Sequence, residues 1–154
     1  MISDTQVRTA HLQAVSSETA LAFLKENLNM LAEVGFLGAA RGDVARAERI
    51  FKPLALVRPG RAFPLIGLAV AYMNAGRAID AVRILEGAPS LSDPAERQVL
   101  DVWRGFALQQ AGNLHASRRL LERVVRQADQ GGETDPQALA MARALLGAKR
   151  SASG

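Results

Sequence analysis

His11 and His115 are the only histidines in the chain, and cysteine is absent. Histidine is the side chain best suited to bind a metal or move a proton near neutral pH, so such chemistry would start at these two positions. They stand 104 residues apart, on elements that the layout below does not bring together, whereas a metal centre or a general base needs its partners to converge. Both read as surface or groove-edge residues. Without cysteine there is no disulfide, no zinc thiolate site and no thiol nucleophile, which fits a reducing compartment. Asp93 and Glu96 are paired carboxylates, but they fall at a helix start, where acidic side chains cap amides and meet the positive end of the helix dipole. Gly35, Gly38 and Gly42 lack the spacing of a phosphate loop, and no lysine followed by serine or threonine comes after them. These residues predict a protein that is not an enzyme and uses no metal or other cofactor.

Charge supplies the next candidate. The net charge is +4, from 19 basic and 15 acidic residues, and only Lys25, Lys52 and Lys149 among the basic ones are lysines. Arg118, Arg119, Arg123 and Arg126 fall near one side of a helix. A weak anionic contact is one use of such a cluster, and a solvated helix face is the commoner one. No aromatic residues interleave with it, so nucleic acid is not expected as a partner. The N-terminus, Met1-Ile2-Ser3-Asp4, lacks the basic region and apolar run of a secretory signal, and no apolar stretch approaches about 18 residues. The chain is expected to be cytoplasmic and not to insert in a membrane.

Helices must position whatever these residues do. Gly42-Asp43 and Gly76-Arg77 open the same local pattern 34 residues apart, and Gly112-Asn113 opens it again after 36. Within the pattern Ala47, Ala81 and Ser117 correspond, as do Phe51, Leu85 and Leu121. The predicted helices lie near 43–57, 62–75, 77–87, 94–111, 113–129 and 136–147, with Pro64, Pro94 and Pro136 in first turns and the three glycines at helix ends. Ser17-Glu18 offers a better start than Ser3 for a helix carrying Leu21, Leu24, Leu28 and Leu31 into the first unit. A chain of 154 residues with 49% hydrophobic content suits one domain with a continuous core.

A period of 34 residues spanning two helices resembles the tetratricopeptide repeat. Small residues where paired helices touch, here Gly35, Ala69 and Gly105 in the first helices, and Pro59 near a unit's end carry the resemblance further. It implies an all-α fold in which three helix-turn-helix repeats wind into a right-handed superhelix. The repeats would be 28–61, 62–95 and 98–131, with 1–27 as an N-terminal helical arm, 132–148 as a capping helix and 149–154 as a disordered tail. In this family the first helix of each unit lines a concave groove. Mapping the repeat places Asn29, Ala32, Glu33, Phe36, Ala39 and Ala40 there from the first unit, Phe63, Ile66, Gly67, Val70, Met73 and Asn74 from the second, and Val99, Val102, Trp103, Phe106, Gln109 and Gln110 from the third. Members that grip a C-terminal carboxylate use basic residues and asparagine at these places, so this mostly apolar lining implies an amphipathic helix or extended apolar segment instead.

Small proteins with about three such repeats, an extra N-terminal helix and an apolar groove look like chaperones of bacterial type III secretion systems. That resemblance implies a client, a translocator or needle subunit, held soluble until export, and a co-chaperone or homodimer partner through the N-terminal helix. The alternative is a generic scaffold or adaptor joining two cytoplasmic proteins, with the groove filled by the chain's own N-terminal helix.

Overall fold

The computed structural model describes Asp4, Gln6, Gly35 and residues 37–152, with side chains as far as Gly147. The described chain is all helical. After a helical segment at 37–40 come α1 (Val44–Val57), α2 (Phe63–Asn74), α3 (Ala78–Glu86), α4 (Pro94–Gln110), α5 (Leu114–Asp129) and α6 (Pro136–Ala152). No helix among the described residues is long and apolar enough to cross a membrane.

Glycine at four turns explains where helices stop. Gly42, Gly76, Gly112 and Gly131 take φ of 70°, 76°, 85° and 82°, a left-handed conformation that costs other residues about 1–2 kcal/mol. Around Gly76, its own amide donates to the Met73 carbonyl and the Arg77 amide to that of Tyr72. The same pair of bonds recurs around the other three glycines, satisfying carbonyls that a helix end leaves orphaned. Four helix starts, those of α1, α4, α5 and α6, are closed by side chains, whereas α2 and α3 begin without such a cap. Asp43, Asp93, Asn113 and Asp135 accept from the amides of Arg46, Ala95, Ala116 and Ala138 at 2.8 to 3.3 Å. These caps place the helix ends within one residue of the sequence reading up to α5. The difference lies in α6, which continues to Ala152 through residues expected to form a disordered tail. Nothing in Ala148-Lys149-Arg150-Ser151 breaks a helix, and the isolated Gly147 costs only about 1 kcal/mol there.

Packing follows chain order. Each helix from α1 to α6 packs on the next; in addition α2 meets α4 and α4 meets α6, and no other pair of these helices is in contact. The positions that correspond under the 34- and 36-residue shifts are all buried: Ala47, Ala81 and Ser117, and Phe51, Leu85 and Leu121. Phe51 fits because two helices present glycine to it. A Cβ at Gly35 would lie 2.8 Å from its Cζ, and one at Gly67 would lie 2.5 and 2.6 Å from Cε2 and Cε1. Leu121 uses Gly105 in the same way, its Cδ2 lying 2.6 Å from where a Cβ would be. The Ser117 hydroxyl, buried nearby, donates to the Gly105 carbonyl at 2.6 Å.

Polar bonds also join elements about one repeat apart. Glu96, in the first turn of α4, accepts from the Ala62 amide at 2.6 Å and pairs with Arg61 at 3.3 Å. Gln98 accepts from the Asp135 amide at 2.7 Å. The start of α4 thus satisfies amides at the starts of both α2 and α6. At the opposite end of α2, Asn74 Nδ2 donates to the Ala39 carbonyl at 2.9 Å.

Candidate binding groove

Helical spacing fixes one candidate face. Phe63, Ile66, Val70 and Met73 recur every three or four residues along α2, and Val99, Trp103 and Phe106 do so along α4, so each set shares one side of its helix. The two helices are in contact. Phe63, Val70, Met73, Val99, Trp103 and Phe106 are half-buried, and all but Phe106 pack against the first core cluster. The Trp103 and Phe106 rings stand edge to face, with centroids 6.0 Å apart, a favoured aromatic geometry. No charged residue interrupts the row between Val99 and Phe106, and Glu96, one turn before Val99, closes its start by accepting from the Ala62 amide.

Four expected lining residues prove to be core. Ala39 is fully buried and Ile66 is 6% exposed. Gly67 faces the Phe51 ring and leaves no room for anything else. Val102 is fully buried in a second cluster with Leu121, Val124, Ala138 and Ala142. Helix rotation is the cause where the partners are given: Gly67 turns to Phe51 of α1 and Val102 to α5 and α6, an angle that repeat mapping alone does not fix. Asn29, Ala32, Glu33 and Phe36 lie outside the described residues. Gln109, by contrast, gains interest, because its Oε1 is buried with no hydrogen-bond partner among the described residues.

The groups with shifted titration lie off this face. Tyr72 donates its hydroxyl proton to Glu48 Oε1. That bond holds the Glu48 carboxyl below its ordinary range and pushes the Tyr72 phenol up, with burial adding to the rise. The Arg77 guanidinium sits 4.7 Å over the Tyr72 ring. Burial raises Asp101, against the pull of Arg104, Arg123 and Arg97. Each is explained by local packing, and the Glu48–Tyr72 bond ties α1 to α2.

Taken together, the geometry defines an all-helical protein with a half-buried apolar face shared by two neighbouring helices. No protein-family model matches the chain, and no curated protein or solved structure matches it either.

Proposed function

We propose that the chain is a tetratricopeptide-type repeat array, wound as a right-handed superhelix, and that it works as a protein-binding chaperone. Its client would be an apolar or amphipathic segment laid along α2 and α4, kept soluble before export in the manner of type III secretion chaperones. The observation that carries this reading is the uncharged row of Phe63, Val70, Met73, Val99, Trp103 and Phe106 on two adjacent helices. Contacts limited to elements one or two apart in the chain support the array, since that is how solenoids bury their cores. An amphipathic helix pressed on the row would remove apolar surface from water, worth about 25 cal/mol per Å² before ordering costs. Trp103 and Phe106 would be the anchors, because buried aromatics dominate such interfaces.

The test is a pull-down from the native host with wild type and a Met73→Glu/Phe106→Glu variant, after circular dichroism has shown equal helicity. A small secreted subunit held by wild type and lost from the variant is the expected result, because a carboxylate in the groove would have to be desolvated. Recovery of the same folded proteins by both would sink the groove and leave a scaffold or adaptor.

A further inference from the structure

The arginine cluster of α5 does not act as one surface. Arg118 turns aside to pair with Glu122 at 3.0 Å, whereas Arg119 and Arg123 line a cavity of about 320 Å³ together with Arg104 of α4, Asn113 and Glu86. Arg104 brings a third guanidinium from a different helix. Its closest carboxylate, Asp101, is 3.9 Å away, a loose ion pair that is longer than the about 2.7–2.9 Å of a charge-assisted hydrogen bond. Neither the Arg119 nor the Arg123 guanidinium is held in a hydrogen bond by a neighbouring side chain among the described residues, although Arg123 lies close enough to pull on the Asp101 carboxyl. Three guanidinium groups therefore share one concavity with Glu86 alone among its lining residues as an acid.

The position is equally specific. Along α4, Arg97, Asp101, Arg104 and Leu108 follow three- and four-residue spacing, on the side of the helix opposite Val99, Trp103 and Phe106. The cleft backs onto the apolar groove across a single helix.

We propose that this cleft between α4 and α5 docks an acidic segment of a protein partner, its glutamate or aspartate carboxylates held by Arg104, Arg119 and Arg123. Guanidinium forks match carboxylates in a bidentate geometry. No aromatic ring lines the cleft, so it lacks the stacking platform with which single-stranded nucleic acids are held. Asp101 stands beside the cleft, 3.9 Å from Arg104, and its charge would offset part of the field that Arg104 and Arg123 offer an incoming carboxylate. The proposal is independent of the groove reading, since it uses the other face of α4.

The experiment measures binding of a short fluorescein-labelled glutamate-rich peptide by anisotropy at low salt, with its glutamine counterpart as control. Arg119→Glu and Arg123→Glu are each expected to weaken binding by about tenfold, because reversing an exposed charge removes an attraction and adds a repulsion in its place. Their glutamine variants lose less. Arg49→Glu on α1 makes the same change in net charge far from the cleft and is expected to change binding by less than about twofold, the level of general screening. Asp101→Asn removes that offsetting charge and is expected to tighten binding, a gain that partial unfolding cannot imitate. Equal losses from Arg49→Glu and Arg119→Glu would overturn the proposal, as would weaker binding by Asp101→Asn. Tighter capture of a labelled single-stranded oligonucleotide at the same arginines would also overturn it, assigning the cleft to nucleic acid.

Discussion

Replacing Gly67 by alanine tests how tightly Phe51 is held. In an ordinary helix interior the change stabilises by about 1 kcal/mol, because alanine loses less backbone entropy. Here the new methyl would meet Cε2 and Cε1 of Phe51 at 2.5 and 2.6 Å, well inside the about 3.5–4.0 Å of carbon contact. The ring has little room to retreat, because the backbone at Gly35 approaches its tip so closely that a Cβ there would lie 2.8 Å from Cζ. Overpacking costs about 1–3 kcal/mol, and the clamped ring puts this site at the upper end. The net loss is about 2 kcal/mol after the helix gain, or roughly 4–8 °C in Tm for a domain of this size. Phe51→Leu alone leaves a gap and loses about 1.5 kcal/mol, but it frees the space that the methyl needs. The double variant is therefore expected to be more stable than additivity allows, by about 2 kcal/mol. Urea unfolding followed by circular dichroism reads all four proteins. A rise in stability for Gly67→Ala, or effects that add within about 0.5 kcal/mol, would refute the clamp.

Two further outcomes are expected. Because the Tyr72 bond lowers the Glu48 carboxyl, its stabilisation is full above the ordinary 4.5 and is lost as pH falls through the lowered value. The phenol is raised, so its share is full below 10.0 and disappears at higher pH. Tyr72→Phe should flatten the acid limb, which urea midpoints from neutral pH downward will read; an unchanged limb would show that the bond does not contribute. Gln109→Met keeps the length of the side chain and removes a buried oxygen without a partner, a defect worth about 1–3 kcal/mol. Its urea midpoint should rise, and a fall would show that the oxygen is paired.

The helix layout was legible because its punctuation is local: Gly76 and Gly112 need a left-handed backbone, and Pro64, Pro94 and Pro136 suit first turns whatever the tertiary context. The side that each helix turns inward was less legible. Ile66 and Val70 look alike in sequence, yet one is core and the other half-buried, because that choice depends on the rotation of α2 against Phe51. Gly67 read as a groove residue for the same reason. Asp93 and Glu96 both stand where a helix-start cap is expected, and Asp93 does cap its own helix. Glu96 instead reaches the amide of Ala62, 34 residues earlier, a partner that no local pattern names. The cleft needed Arg104 beside Arg119 and Arg123, which only the packing of α4 on α5 supplies.

The Glu96 contact also sets where the groove can give. It pins α4 to α2 at their starts, while no comparable hydrogen bond joins the far end of α2 to α4 among the described residues. Asn74 at that far end is tied backwards, to Ala39. With α3 packed on both helices and no directional bond at the far end, a change in the angle between them would pivot on the Ala62 amide like a page on its spine. The 12 residues of α2 make a lever about 18 Å long. A turn of about 10° would part the helices by about 3 Å near Met73 and Phe106 while moving Phe63 hardly at all, on the same geometry. Tied by a hydrogen bond at one rim and by packing alone at the other, the pair would meet a guest of the proposed kind as a wedge does, widening at the end without the bond.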